Sequence, residues 1–418
     1  MKIRSLLIGA AVVATIGLSA CSGDPGTPPP ADDGRYVAPT GVDTGNCSAS
    51  ASPCATITYA QTQAVAGDTI HVAAGTYPEL VIVTKPLVFE GANAGKSDGA
   101  QPVTRGPESI VKGFRTPGEP HPTPDGANDV TVDGFTIDPQ GDAALIAPAT
   151  HHLVALFGGN DVKVINNRFD GGPWVPDCDY TCTDMTDAAV MIRSGTYEVS
   201  GNSFTDFRSP MDVDQDSAAH PVDSATITGN SFTHVTNRAI WISEYPGGPM
   251  PGTVTVSGNE FDATGWTDDS YPAAMVITEG GNTIADNTFT GFSSAVFLQV
   301  CDGTNVAGDP NAFTGNTFTD NRTGLYYFVA GACGSTVVPA TITGNSFDGG
   351  QWGFNPTLAK IGVRCNEAGG PRPNDLTAEC NWWGDVAGPN SPGASQTTAG
   401  VDADPWNVTP TGDCTGTV

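Results

Sequence analysis

The chain has 418 residues, of which 52 are glycine and 33 proline, and 45 acidic residues against 17 Lys and Arg give it a formal net charge of −28. Neutralising phosphate needs Lys and Arg, so this balance excludes a general nucleic-acid role. Like charges repel, so it also opposes direct binding of an anionic polysaccharide unless a divalent cation intervenes.

The chain opens with Met1-Lys-Ile-Arg4 and an apolar run to Leu18, a charged n-region followed by an h-region, and residues 1–20 read as a signal peptide. Leu18-Ser-Ala-Cys21 is similar to the lipoprotein processing box. The resemblance implies cleavage before Cys21, lipidation of its thiol and tethering to a bacterial membrane on the extracytoplasmic side, at the cell surface or the periplasmic face. Residues 21–42, with Pro28-Pro-Pro30, are too polar and Pro/Gly-rich to bury a core and read as a flexible spacer.

The folded part is expected from residue 43. Residues 56–66 form the one credible helix before the repeats, with Ile57, Ala60, Ala64 and Val65 on one face. Such a helix would cap the open N-terminal strand edges, which would otherwise pair with other chains. The pairs Ile70/Val72, Val81/Val83 and Leu87/Phe89 mark three short strands, residues 91–107 a long polar loop, and Ser109-Ile-Val111 a return to strand.

A repeat then takes over. Ala225-Thr-Ile-Thr-Gly-Asn-Ser-Phe232 returns as Val254-Thr-Val-Ser-Gly-Asn-Glu-Phe261 and as Ala340-Thr-Ile-Thr-Gly-Asn-Ser-Phe347, with looser copies from Val130 onward. The repeated Phe stands at 135, 169, 204, 232, 261, 289, 318 and 347. A fixed period of this kind marks a solenoid. Alternation such as Ala-Thr-Ile-Thr is the signature of a strand with one buried face, and Gly-Asn is turn chemistry. Each unit carries a second apolar strand, such as Ala239-Ile-Trp-Ile242. One unit cannot bury its own face, but stacked units can, with neighbouring strands about 4.8 Å apart. Phe would then form an inner column, and Asn202, Asn230, Asn259, Asn287, Asn316 and Asn345 an amide ladder along one turn. The fold class is all-β, a parallel β-helix over residues 43–390 with a short N-terminal capping helix, followed by an irregular tail over 391–418.

These Gly-Asn-x-Phe coils resemble the right-handed parallel β-helix proteins of the pectate-lyase-like superfamily. Gly67-Asp-Thr-Ile-His-Val-Ala-Ala-Gly-Thr-Tyr-Pro-Glu79 resembles the usual first coil of secreted members, and Asn381-Trp-Trp-Gly-Asp-Val-Ala-Gly-Pro389 their usual last one. The resemblance speaks for the fold. It carries no catalytic residue across, because Asn-Thr-Asp, Gly-His-Gly and Arg-Ile-Lys of polygalacturonases and Trp-Ile-Asp-His of pectate lyases are absent.

With Cys21 set aside, nine cysteines remain. Cys47 with Cys54, and Cys178 with Cys182, are close enough to close small loops. Cys301 and Cys333 follow corresponding strands on successive coils, so stacking would bring them together. Cys365, Cys380 and Cys414 then leave one over. No Cys/His spacing has a zinc-site pattern.

Aligning the second strands coil by coil gives two outward columns. One is Met191, Asp212, Trp241, Val276, Phe297 and Tyr326; the other is Arg193, Asp214, Ser243, Thr278 and Gln299. Aromatic faces are platforms for the apolar C–H faces of sugars, which makes Trp241, Phe297 and Tyr326, with Glu244 and Glu279 just beyond, candidate substrate contacts. Asp212 and Asp214 stand roughly 7 Å apart along a strand, a separation suited to acid and base flanking a glycosidic bond. With Arg193 they are the candidate catalytic group. Asp212-Val-Asp-Gln-Asp216 also imitates the ligand spacing of a calcium loop, though Ser217 stands where that loop wants Gly. Calcium on Asp212, Asp214 and Asp216 is the one cofactor the sequence suggests, and lyase chemistry on a carboxylate-held calcium is what the family's lyases imply. The functional expectation is a lipid-anchored, monomeric β-helix that binds extracellular or cell-surface polysaccharide, with cleavage as a lyase or hydrolase left open. The alternative is a non-catalytic adhesion scaffold contacting protein or envelope partners.

Overall fold

A computed structural model describes residues 34–417, apart from 118–127, 147–151, 174–185, 215–220, 244–251, 265–272, 301–309, 331–339, 352, 354–358, 369–375 and 400. Cys21 and the signal and spacer residues through Asp33, together with Cys178, Cys182, Asp216, Glu244, Cys301 and Cys333, lie outside the described residues.

Three parallel strands recur per coil, one more than the two expected of each repeat. The strands ahead of the Gly-Asn turn, such as Val222–Thr228, Thr253–Ser257 and Ala340–Thr343, join an 11-stranded parallel sheet. The short strands beyond the turn and the second apolar strands belong to a 19-stranded network. Like pairs with like in strict register, so Phe204 lies opposite Phe232, Phe232 opposite Phe261 and Phe261 opposite Phe289. The rings from Phe169 to Phe347 form one interior file, with centroids 4.6 Å apart at its start, 4.9 Å between Phe261 and Phe289, and planes within 13°. Trp383, fully buried, stacks on Phe347 at 5.0 Å and closes the file. Phe135 falls outside this file and packs edge-on against Phe114.

The amide ladder runs from Asn167 to Asn381, beyond the six residues the repeat names. Each Oδ1 accepts the backbone N–H of the Asn one coil earlier, as in Asn202 to Asn230 at 2.9 Å and Asn230 to Asn259 at 2.8 Å. Each Nδ2 donates to a strand carbonyl, as from Asn259 to Ile227. The residue before the Asn has positive φ, which is why Gly fills it at Gly229 and Gly258, and Asn166 or Asp286 elsewhere.

The capping helix spans Ile57–Gln63. Thr56 caps it by accepting from Tyr59 N, and the Glu79 carboxylate accepts from Ile57 and Thr58 N at 2.9 Å, satisfying the first-turn donors. Ile57 and Ala60 are buried as expected, but the helix stops at Gln63, and Val65 swings out to 62% exposure.

Two segments differ from the sequence expectation. Arg35–Val37, placed in the spacer, pairs with Thr69–Val72 as the first strand of the sheet and is held by an Arg35–Asp68 ion pair at 3.0 Å. The tail from 391 is not irregular: Trp406–Thr409 and Gly412–Gly416 form an antiparallel hairpin, stapled to Cys380 by Cys414. The Cys47–Cys54 bridge is present as expected. The polar loop of 91–107 lies across successive turns. Asp98 N donates to Gly201 O and Ala100 N to Gly229 O, Asp98 takes Arg168 and Ser203, and Arg105 donates to the carbonyls of Asn166 and Phe135.

Candidate functional site

The second apolar strands place one outward residue per coil in line. The pairings run Arg115, Ala155, Met191, Asp212, Trp241, Val276, Phe297, Tyr326 and Arg364, each in register with the next. The first column expected from the alternation therefore exists in register and carries an arginine at each end, but Met191 within it is buried, at 6% exposure. The second column lies two residues along each strand, but Asp214 and Ser243 within it are buried rather than exposed.

The Asp/Arg group is assembled as anticipated. Arg193 holds Asp214 with both ends of its fork, Nε to Oδ1 at 2.7 Å and Nη2 to Oδ2 at 2.9 Å, and lies 5.8 Å from the ring centre of Phe157. Burial is the largest influence on Asp214 and pushes its carboxyl above the usual carboxylate range; Arg193 pulls it back, Asp212 adds to the rise and His152 opposes it. Asp212 is engaged differently. Its Oδ2 lies 3.4 Å from His152 Nε2, while its Oδ1 is buried with no hydrogen-bond partner. Met191 and Trp241 flank it on the adjoining strands.

The aromatic platforms are partly occupied. Arg238 lies over the Trp241 ring at 3.9 Å, and Arg364 over Tyr326 at 4.5 Å. Phe297 meets Tyr326 edge-on at 5.1 Å, and Phe328 joins them at 5.6 Å from Phe297. The strip therefore presents ring edges and guanidinium planes. Glu279 does not join it: the residue is 7% exposed, and its carbonyl accepts from Asn282 and Asn311.

Of the expected calcium ligands, Asp212 and Asp214 are among the described residues. Arg193 occupies both oxygens of Asp214, Asp216 lies outside the described residues, and no group of three His, Cys, Asp or Glu side chains converges among the described residues.

His152 stands outside the repeat, and nothing in the sequence marks it as a site residue. His152 reaches Asp212 from two strands away, across a strand that sets the small Ala188 opposite it. No spacing in the sequence signals such a diagonal contact. Arg238 and Arg364 were missed because stacking of a guanidinium on a ring leaves no periodic trace.

Two family profiles match the chain. One, described as a right-handed β-helix region, covers residues 187–359. The other, described as a protein of unknown function and numbered DUF1565, covers residues 39–251, just over half the length. The chain belongs to the DUF1565 family. It is a right-handed parallel β-helix. No curated protein matches its sequence. Among solved structures it is similar to XylC in complex with xylose, at 12% identity and a TM-score of 0.44, over 84% of this chain and 69% of that one. It is also similar to a PL6 alginate lyase in complex with a trisaccharide, at 13% identity and a TM-score of 0.37, over 85% of this chain and 74% of that one. At these levels of similarity the chemistry of neither transfers to this chain.

Proposed function

We propose that this DUF1565 protein binds carbohydrate along the outward column centred on Asp212, tethered outside the cytoplasm by lipid on Cys21. The observation that carries the reading is Asp212 Oδ1. A buried acceptor left without a donor costs about 1–3 kcal/mol, and more when charged, so the site is poised for a ligand that donates. Beside it lie the thioether of Met191 and the indole of Trp241, and farther along Phe297 and Tyr326. Hydroxyls that donate, set on rings with apolar C–H faces, match that combination. Asp214 serves to hold Arg193 in place, which leaves Asp212 as the carboxylate of the pair with an oxygen that no protein donor takes. Were the bound glycan also cleaved, Asp212 is the group able to take a proton.

The test is a screen of the full chain against neutral and acidic polysaccharides, with and without calcium, following binding together with new reducing ends or unsaturated products. At least one polysaccharide is expected to bind saturably. Silence across the panel would overturn the proposal and favour the adhesion scaffold. The tether is checked alongside: Cys21→Ser should move the chain out of the membrane fraction, and unchanged fractionation would reject it.

A further inference from the structure

A different recess lies on the 11-stranded sheet, at its N-terminal end. Tyr36, His71 and Glu90 stand in one register column on the first three strands. The Tyr36 ring stacks on His71 with centroids 5.1 Å apart and planes 25° from parallel, and His71 Nδ1 lies 3.0 Å from the Glu90 carboxylate. Around them a cavity of about 290 Å³ is walled by Ser50 and Pro53 of the Cys47–Cys54 loop and by Ala92. Neither Lys nor Arg lines it. The next rung adds a second carboxylate, Asp133, opposite Glu90. Asp133 is already satisfied by Gly95 N and Asn166 Nδ2, whereas Glu90 is 37% exposed and reachable from the cavity.

The recess thus combines a flat aromatic pair, an apolar wall and one carboxylate, Glu90, in an acidic protein. We infer that it binds a small organic cation, with an ammonium head facing Glu90 and its alkyl groups against the Tyr36 ring. A ring face attracts a cation through its quadrupole, and a carboxylate adds a charge-assisted contact. A neutral molecule of the same shape gains neither. The volume admits a head group of this kind and little more. The site lies on another sheet from the Asp212 column and stands or falls independently of it.

The experiment is an NMR titration of the histidine ring signals of the full chain with tetramethylammonium, and in parallel with tert-butanol as the neutral shape control. Tetramethylammonium should shift the His71 signals saturably, and tert-butanol should bind at least ten-fold more weakly. Glu90→Gln and, separately, Tyr36→Leu should each weaken the cation by about ten-fold or more, whereas Thr255→Ala, at a distant rung, should not. Equal binding of the two probes, full affinity in Glu90→Gln, or no saturable shift would each overturn the inference.

Discussion

Asn259→Ala is expected to lower the stability of the chain by about 4 kcal/mol, far more than any change on the outward Thr positions of the same coil. The Asn259 side chain accepts from both the backbone N–H and the Nδ2 of Asn230, and donates to Ile227 O and Asn287 Oδ1, all in an interior closed to water. Alanine leaves the Asn230 backbone N–H and one Asn230 amide hydrogen unpaired, since Nδ2 keeps its bond to Val199 O, and takes a donor from the Ile227 carbonyl, at about 1–3 kcal/mol for each unsatisfied group. The damage is local in a solenoid, where each coil touches only its neighbours. Chemical denaturation of Asn259→Ala against Thr255→Ala reads the difference directly, with Thr255→Ala expected within about 0.5 kcal/mol of the parent. Equal stabilities of the two variants would mean that the amide ladder does not hold the coils together.

The second large effect belongs to Arg193. Removing it strands Asp214 as a buried carboxylate with no counter-charge, which costs about 3–5 kcal/mol. The pH dependence follows from the direction of the Asp214 shift. Burial raises the carboxyl above its usual range even with Arg193 present, so the folded chain binds this proton more tightly than the unfolded chain does. The contribution of the group to stability is therefore greatest below the usual carboxylate range and declines as pH rises through the raised value. Without Arg193 the value climbs further and the window of loss moves upward. Arg193→Ala should thus be most destabilised near neutral pH and recover on acidification, relative to the parent at each pH. Combining it with Asp214→Asn should restore most of the loss and flatten the profile, since the stranded charge is gone. A pH-independent deficit in Arg193→Ala that survives in the double variant would show that Arg193 acts through packing on Phe157 alone.

Much of this architecture was legible in the residue order because a solenoid repeats its instructions. The interval between Phe residues set the stacking, and the alternation in Ala239-Ile-Trp-Ile242 and its counterparts set the outward column from Met191 to Tyr326, in the register the structure displays. Elements used once were not legible. The Arg35–Val37 strand sits beside a Pro-rich spacer and has no copy to align with. The Trp406–Gly416 hairpin depends on Cys414 reaching Cys380, and the 91–107 strap on Asp98 and Arg105 meeting turns that are 30 to 105 residues away. The site divides in the same way. Arg193 with Asp214 followed from coil alignment, but alternation says which way a side chain points and not what covers it, so Asp214, Ser243 and Glu279 were read as exposed. The His152 contact crosses strands diagonally, outside any column.

The most direct measurement is a binding isotherm, for the tightest polysaccharide of the panel, comparing the parent chain with Asp212→Ala and Trp241→Ala. A hydrogen bond to a charged group is worth about 1.5–3 kcal/mol, or roughly ten- to a hundred-fold in affinity. Asp212→Ala should weaken binding by that factor, Trp241→Ala by a comparable one, and Thr255→Ala on the other sheet not at all. Unchanged affinity in both column variants would place the glycan elsewhere and contradict the account.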